Sequence, residues 1–143
     1  MTASNAFENA ILDLVFSNQA FAKIGDSSGL QPSGADGSLY ISLHTGDPGE
    51  AGDQTTNEAS YTGYGRKAVG RTAGWDISGP VASNENAITF DECTGGSDTI
   101  THFGVGTDGA GAGVLLFSGT CDLEVSTGIT PEFAIGALTV TVE

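Results

Sequence analysis

Glycine punctuates this chain, with twenty-two in 143 residues, clustered between short apolar runs. Glycine is at home in tight reversals, so such spacing describes many short elements joined by turns. The runs themselves alternate. Leu39, Ile41 and Leu43 interleave with Tyr40, Ser42 and His44, and Leu138, Val140 and Val142 interleave with threonines. A period of two is the signature of a strand with one buried face. The glycines show no strict period of three and there are only four prolines, which excludes collagen.

One segment near the start keeps a different period. Phe7, Ala10, Ile11, Leu14 and Val15 recur at spacings of three and four, which predicts an amphipathic helix over about residues 5–16 with that stripe packed. Asn5 with Glu8 three residues on reads as its cap, and Ser4 is the rival. Residues 25–38, GDSSGLQPSGADGS, form a long loop and a candidate contact arm. YGRKAVGR (64–71) reads as a short edge or interface strand, WDIS as a strand, and SGPVASNENA as a polar turn. AITF, TITHFGVG and VLLFSGTCDLEV follow as strands, the last with a bulge or break at Ser118-Gly119, and TDGAGAG between them reads as a hairpin reversal. The sum is one helix and about seven or eight strands, because no helix-length period separates the later ones. The expected fold is a mainly β, small antiparallel β-sandwich or jelly roll with an N-terminal amphipathic helix. It is read as one domain, residues 1–143, with the sandwich over about 39–143.

Charge narrows the partners. Four basic residues face eighteen acidic ones, for a formal charge of −14. Nucleic acid and anionic membrane would both be repelled. The opening MTASNAFENAILDLVF lacks the basic stretch of a secretory signal, and no apolar run approaches membrane-spanning length. Cys93 and Cys121 sit in separate segments and read as reduced, partly buried thiols. Arg66, Lys67 and Arg71 form the one dense positive patch. It suits either an acidic surface of a neighbouring subunit, such as the DPGE loop, or internal pairing.

Candidate chemistry is sparse. Ser42 and His44 share a strand face, with Asp47 and Glu50 just beyond, but two alternating residues do not make a nucleophile and base, and no GxSxG elbow exists. They read as polar residues of a solvated face. DPGEAGDQTTNE fails calcium-loop spacing, since Asp47, Gly49 and Ala51 occupy positions that want three oxygen donors. Two cysteines and two distant histidines lack zinc-ligand spacing. His102 reads as a hydrogen-bonded, partly buried histidine. GVGTDG and TDGAGAG are neither a dinucleotide fingerprint nor a phosphate loop. No catalytic, cofactor-binding or metal residue is therefore assigned, and no cofactor is expected. Trp75 reads as a core plug or a partner anchor. With Tyr61 and Tyr64 it would supply a carbohydrate-binding patch if exposed.

Several longer runs together resemble a family of small tailed-bacteriophage virion proteins. They are NAFENAILD (Asn5 to Asp13), LHTGDPGE (Leu43 to Glu50), YGRKAV (Tyr64 to Val69), THFGVG within Thr99 to Gly106, and FAIGALTVT (Phe133 to Thr141). They cover nearly the whole chain in the same order. The acidity and the SSGLQPSGADGS insertion depart from the family pattern. The resemblance implies a non-enzymatic structural protein with no catalytic residues to transfer, placed in the virion after assembly in the host cytoplasm. Its partners would be other virion proteins, the major capsid protein first and tail proteins as the alternative, in a homo-oligomer. The favoured role is head decoration or cement; the alternative is a tail fibre that binds host-surface carbohydrate. The helix, the 25–38 loop and the 64–71 strand are the expected contact elements.

Overall fold

A computed structural model describes residues 2–26 and 29–143. Among these, one helix, α1 (Asn5–Phe16), precedes nine strands: β1 (Ser38–His44), β2 (Lys67–Gly70), β3 (Trp75–Ser78), β4 (Val81–Asn84), β5 (Ile88–Thr89), β6 (Ser97–Gly106), β7 (Leu115–Ser126), β8 (Glu132–Phe133) and β9 (Thr139–Thr141). They form sheets ordered β2-β1-β6-β7, β3-β4-β9 and β5-β8. The protein is thus mainly β with a single N-terminal helix. Among the described residues the pairings close no barrel and trace no jelly-roll order. Residues gather into two compact units. One holds Met1–Ser38, Gly70–Ala87 and Ala134–Glu143; the other holds Leu39–Val69 and Ile88–Phe133. Ser27 and Ser28, within the expected contact arm, lie outside the described residues.

In the first unit α1 packs on β3 and β4. Its bounds match the sequence reading, but its cap and its buried face do not. Ser4 is the cap: its backbone is extended and its hydroxyl accepts from the Phe7 amide at 3.4 Å. That places Glu8 a residue too far along for a reciprocal capping box. The buried positions are Glu8, Leu12 and Phe16, one turn apart, while Phe7 is 41% exposed. The expected stripe lost because the helix is oriented by its bulkiest partner. Phe16 meets Trp75 edge-on at 4.6 Å between ring centroids, and burying two aromatics outweighs burying smaller aliphatic groups.

The C-terminus of α1 is closed by a distant segment. The Arg71 guanidinium donates to the Val15 carbonyl at 2.7 Å and also to that of Leu14, and the Thr72 amide donates to Phe16 O at 2.8 Å. The last carbonyls of a helix lack partners within it and carry the negative end of its dipole, so a cation there is doubly favoured.

SGPVASNENA is not one polar turn. Gly79-Pro80 turns, the chain returns as β4, paired from Trp75↔Asn84 to Ser78↔Val81, and it bends again at Glu85-Asn86. The small residues Ala82 and Ser83 disguised the strand. Asn84, 1% exposed, ties the unit together. Its side-chain amide donates to Asn86 O and Ala134 O at 2.8 and 2.9 Å and its oxygen accepts from Leu138 N at 2.9 Å.

The second unit centres on β1 and β6, antiparallel from Tyr40↔Gly106 to His44↔His102. The reading gave β1 one buried face. In fact Ile41, Ser42, Leu43 and His44 are all buried, so both faces are covered. β7 is a single twelve-residue strand: nothing breaks at Ser118-Gly119, and of the bulge or break expected there the structure shows register shifts on either side of that dipeptide. Gly119 is there to admit a ring: a Cβ at that position would lie 2.7 Å from Phe103. Phe103 in turn meets Phe133, which meets Phe90, at centroid distances of 5.8 and 6.2 Å. The register shifts near Ile100/His102 and Val105/Gly106 are bulges that bend this edge. Cys93 is buried and Cys121 half-buried, and both are free thiols. Burial first, and the Asp122 charge second, push the Cys121 thiol up to about 11.

Candidate functional site

The stretch after β1 is an Ω-loop, residues 45–57, whose ends meet. The Thr45 amide donates to Asn57 O at 2.7 Å, and His44 and Glu58 form an antiparallel bridge. Inside the loop the Asp53 carboxylate accepts from Thr55 through both its amide and its hydroxyl, which holds that carboxyl below its usual range. Asp47 accepts from Gly49 N at 2.8 Å, and Asn57 donates to Asp47 O at 2.9 Å. These local bonds make the acidic loop a formed surface.

At the foot of the loop Ser42 and His44 do come together, with Oγ and Nε2 at 2.8 Å. His44 Nδ1 lies 2.8 Å from Thr56 O. A carbonyl can only accept, so Nδ1 carries the proton and Nε2 accepts from Ser42. The geometry is that of a nucleophile and base, but both residues are 0% exposed and a backbone carbonyl stands where a catalytic carboxylate would. The solvated face expected for the pair is therefore wrong: the Ω-loop closes back onto His44 through Thr56 O, and Gly104, paired with Ser42 in the neighbouring strand, leaves the pair its room, since a Cβ there would fall 2.6 Å from Ser42 Oγ and 2.7 Å from His44 Nε2. Burial lowers the His44 pKa below its ordinary value. The pair is a dry structural bond. His102, half-buried, lies 2.9 Å from the Thr101 hydroxyl and matches its reading.

The positive patch dissolves into separate internal duties. Arg66 holds Glu58 with two bonds, Nε to Oε1 at 2.6 Å and Nη2 to Oε2 at 2.8 Å, and the pair's side chains are 3% and 17% exposed. The same guanidinium donates to Asp108 O at 2.9 Å and Gly111 O at 2.7 Å. It therefore clamps the glycine-rich reversal 107–113 onto the sheet. Gln54, 0% exposed, grips that reversal from within, accepting from Asp108 N at 2.9 Å. Gly106 and Gly113 leave the room it needs, since a Cβ at either would collide with its amide group. Lys67 pairs with Asp91 at 2.8 Å, and Arg71 caps α1. Sequence reasoning missed Gln54 and Glu58 altogether. The one available signal was the density of glycines in the reversal, which marked a close approach without saying by what.

The aromatic patch is not a surface. Trp75 is 3% exposed and Tyr61 4%. Tyr64 is half-buried, its hydroxyl donating to Glu58 Oε1 at 2.9 Å and accepting from Leu43 N at 3.1 Å. Burial, then the Asp91 charge, pushes the Tyr61 phenol up to about 12, and burial raises that of Tyr64 further still. Among the described residues no three metal-ligating side chains gather, and no helix is long and apolar enough to cross a membrane.

The polar interior thus serves to fix loops on a β scaffold, which is the physical class of a structural protein. The chain belongs to the family described as podophage GP4 fiber I protein gp80, whose pattern matches residues 2–141. It is accordingly a phage virion protein. No curated protein matches it.

Proposed function

We propose that this protein is a non-enzymatic structural component of a phage tail fibre, with residues 1–143 working as one assembly module. The observation that carries the reading is the match to a podophage fibre family across residues 2–141. The buried state of Ser42 and His44 supports the non-enzymatic part, since no solvent-lined nucleophile is left in the pair that most resembled one. The head decoration or cement role expected from the sequence draws no support from that family. Its major capsid protein partner gives way to tail proteins. Host carbohydrate recognition through Tyr61, Tyr64 and Trp75 loses its platform, because two of the three are buried and the third is committed to Glu58.

The test is position in the intact particle. Cryo-electron microscopy or gold-labelled antibody should find a few copies at the tail. Many copies spread over the head shell would overturn the fibre reading and restore decoration.

A further inference from the structure

We infer that the protein associates with itself head to tail, Lys23 of one copy entering the acidic groove beside the Ω-loop of another. The inference deepens the fibre reading by naming a partner and a contact.

It starts from charge. Two chains each carrying −14 repel, so a contact between copies is favoured where a cation of one meets the acidic surface of the other. The chain has four, and three are committed: Arg66 to Glu58, Lys67 to Asp91, and Arg71 to the end of α1. Lys23 makes no ion pair among the described residues and is exposed. Exposed apolar side chains lie along the same segment, with Asp26 three residues on. Phe7, Ile24 and Leu30 are 41, 38 and 46% exposed, Phe7 meets Phe21 edge-on at 5.6 Å, and Phe21 bridges Leu30. An exposed cation among exposed apolar side chains is the composition of a contact rather than of a solvated face.

A complementary surface exists in the other unit. A groove of about 500 Å³ runs between the Ω-loop and the start of β7. Asp47 and Glu50 line one wall, and Leu115, Leu116 and Phe117 line the other. Both carboxylates are exposed, and neither forms an ion pair among the described residues. The bulges along the β6–β7 pairing discourage simple edge-to-edge strand addition at β7, which leaves this groove as the place where that edge can be covered. A lysine entering it would lay its aliphatic stem along the leucines with its ammonium between the acids. Because the two surfaces differ, the contact is heterologous, and repetition of one such contact generates a ring or a filament.

The experiment is a charge swap on the purified full chain, read by sedimentation velocity at fixed moderate salt. The wild type should self-associate. Lys23→Glu and Glu50→Lys should each weaken association about tenfold or more, since each sets like charges together. The double variant should recover most of the loss. An equimolar mixture of the two single variants should associate as the wild type does, in alternating copies, because the two introduced charges meet at one kind of mixed junction and the unchanged Lys23 and Glu50 meet at the other. Both positions are exposed, and thermal melts should show each variant folded as the wild type. A wild type that stays monomeric, single variants that associate normally, or a swap that fails to recover would each overturn the inference. None of these outcomes bears on where the protein sits in the particle, so the fibre reading is tested separately.

Discussion

Arg66 and Arg71 stand five residues apart at the two ends of β2, and both spend their charge on backbone carbonyls. Arg66 works in the unit built on β1 and β6. It is almost sealed, and it carries a carboxylate, Glu58, that offsets the cost of its burial. Arg71 works in the unit built on α1 and β3-β4-β9. It is half-buried and meets only carbonyls and the Ser33 hydroxyl, so its electrostatic partner is the end of a helix. Lys67 between them forms an open pair with Asp91, the two side chains 27% and 61% exposed. One basic run thus holds three cations in three dielectric environments. Their value to the fold should follow burial, not spacing.

The largest effect should come from breaking the sealed pair. Arg66→Met leaves Glu58 without its partner and the 107–113 reversal without its clamp. The expected loss is about 3–4 kcal/mol in urea-unfolding midpoint experiments. Glu58→Gln added to Arg66→Met should restore part of it, since the uncompensated charge is then gone. If the single variant unfolds at the wild-type midpoint, the clamp is ornamental. Next comes Arg71→Ala, which uncaps α1 and should cost about 1–2 kcal/mol with a matching loss of helical circular dichroism.

A buried polar group without a charge behaves differently in acid. The His44 pKa is lowered in the folded protein, so the unfolded chain binds the proton more readily. The stability contribution is complete above about pH 6.5, the unfolded value, and is lost as pH falls toward the folded value. His44→Asn, which keeps a donor toward Thr56 O, should flatten the fall in urea midpoint below about pH 6.5. An unchanged slope would assign the acid sensitivity to the carboxylates. The smallest effect belongs to Lys67→Ala, below about 0.5 kcal/mol, because solvent and salt screen an open pair.

How much of this was legible follows the range of each interaction. The helix bounds were readable because its start and its 3.6 period are local. Its buried face was not, because Trp75, far along the chain, decided it. The alternation at β1 was readable, but whether Ser42 and His44 met water depended on the Ω-loop closing back onto His44 through Thr56. β4 was missed because its small polar residues carry no periodic signal, and β7 was read with a bulge or break at Ser118-Gly119 because a glycine made for the Phe103 ring looks like a turn. The positive segment showed its charges plainly. It could not show that Glu58, Asp91 and the end of α1 would claim them and leave Lys23 exposed.

By itself, the sequence determined a β-rich chain with one helix, frequent turns and a strongly acidic surface, since period, glycine and charge act over a few residues or over the whole composition. Only the tertiary structure decided which polar groups are sealed and which cation stays exposed. Burial is set by what packs on top, and that neighbour is usually distant in the chain.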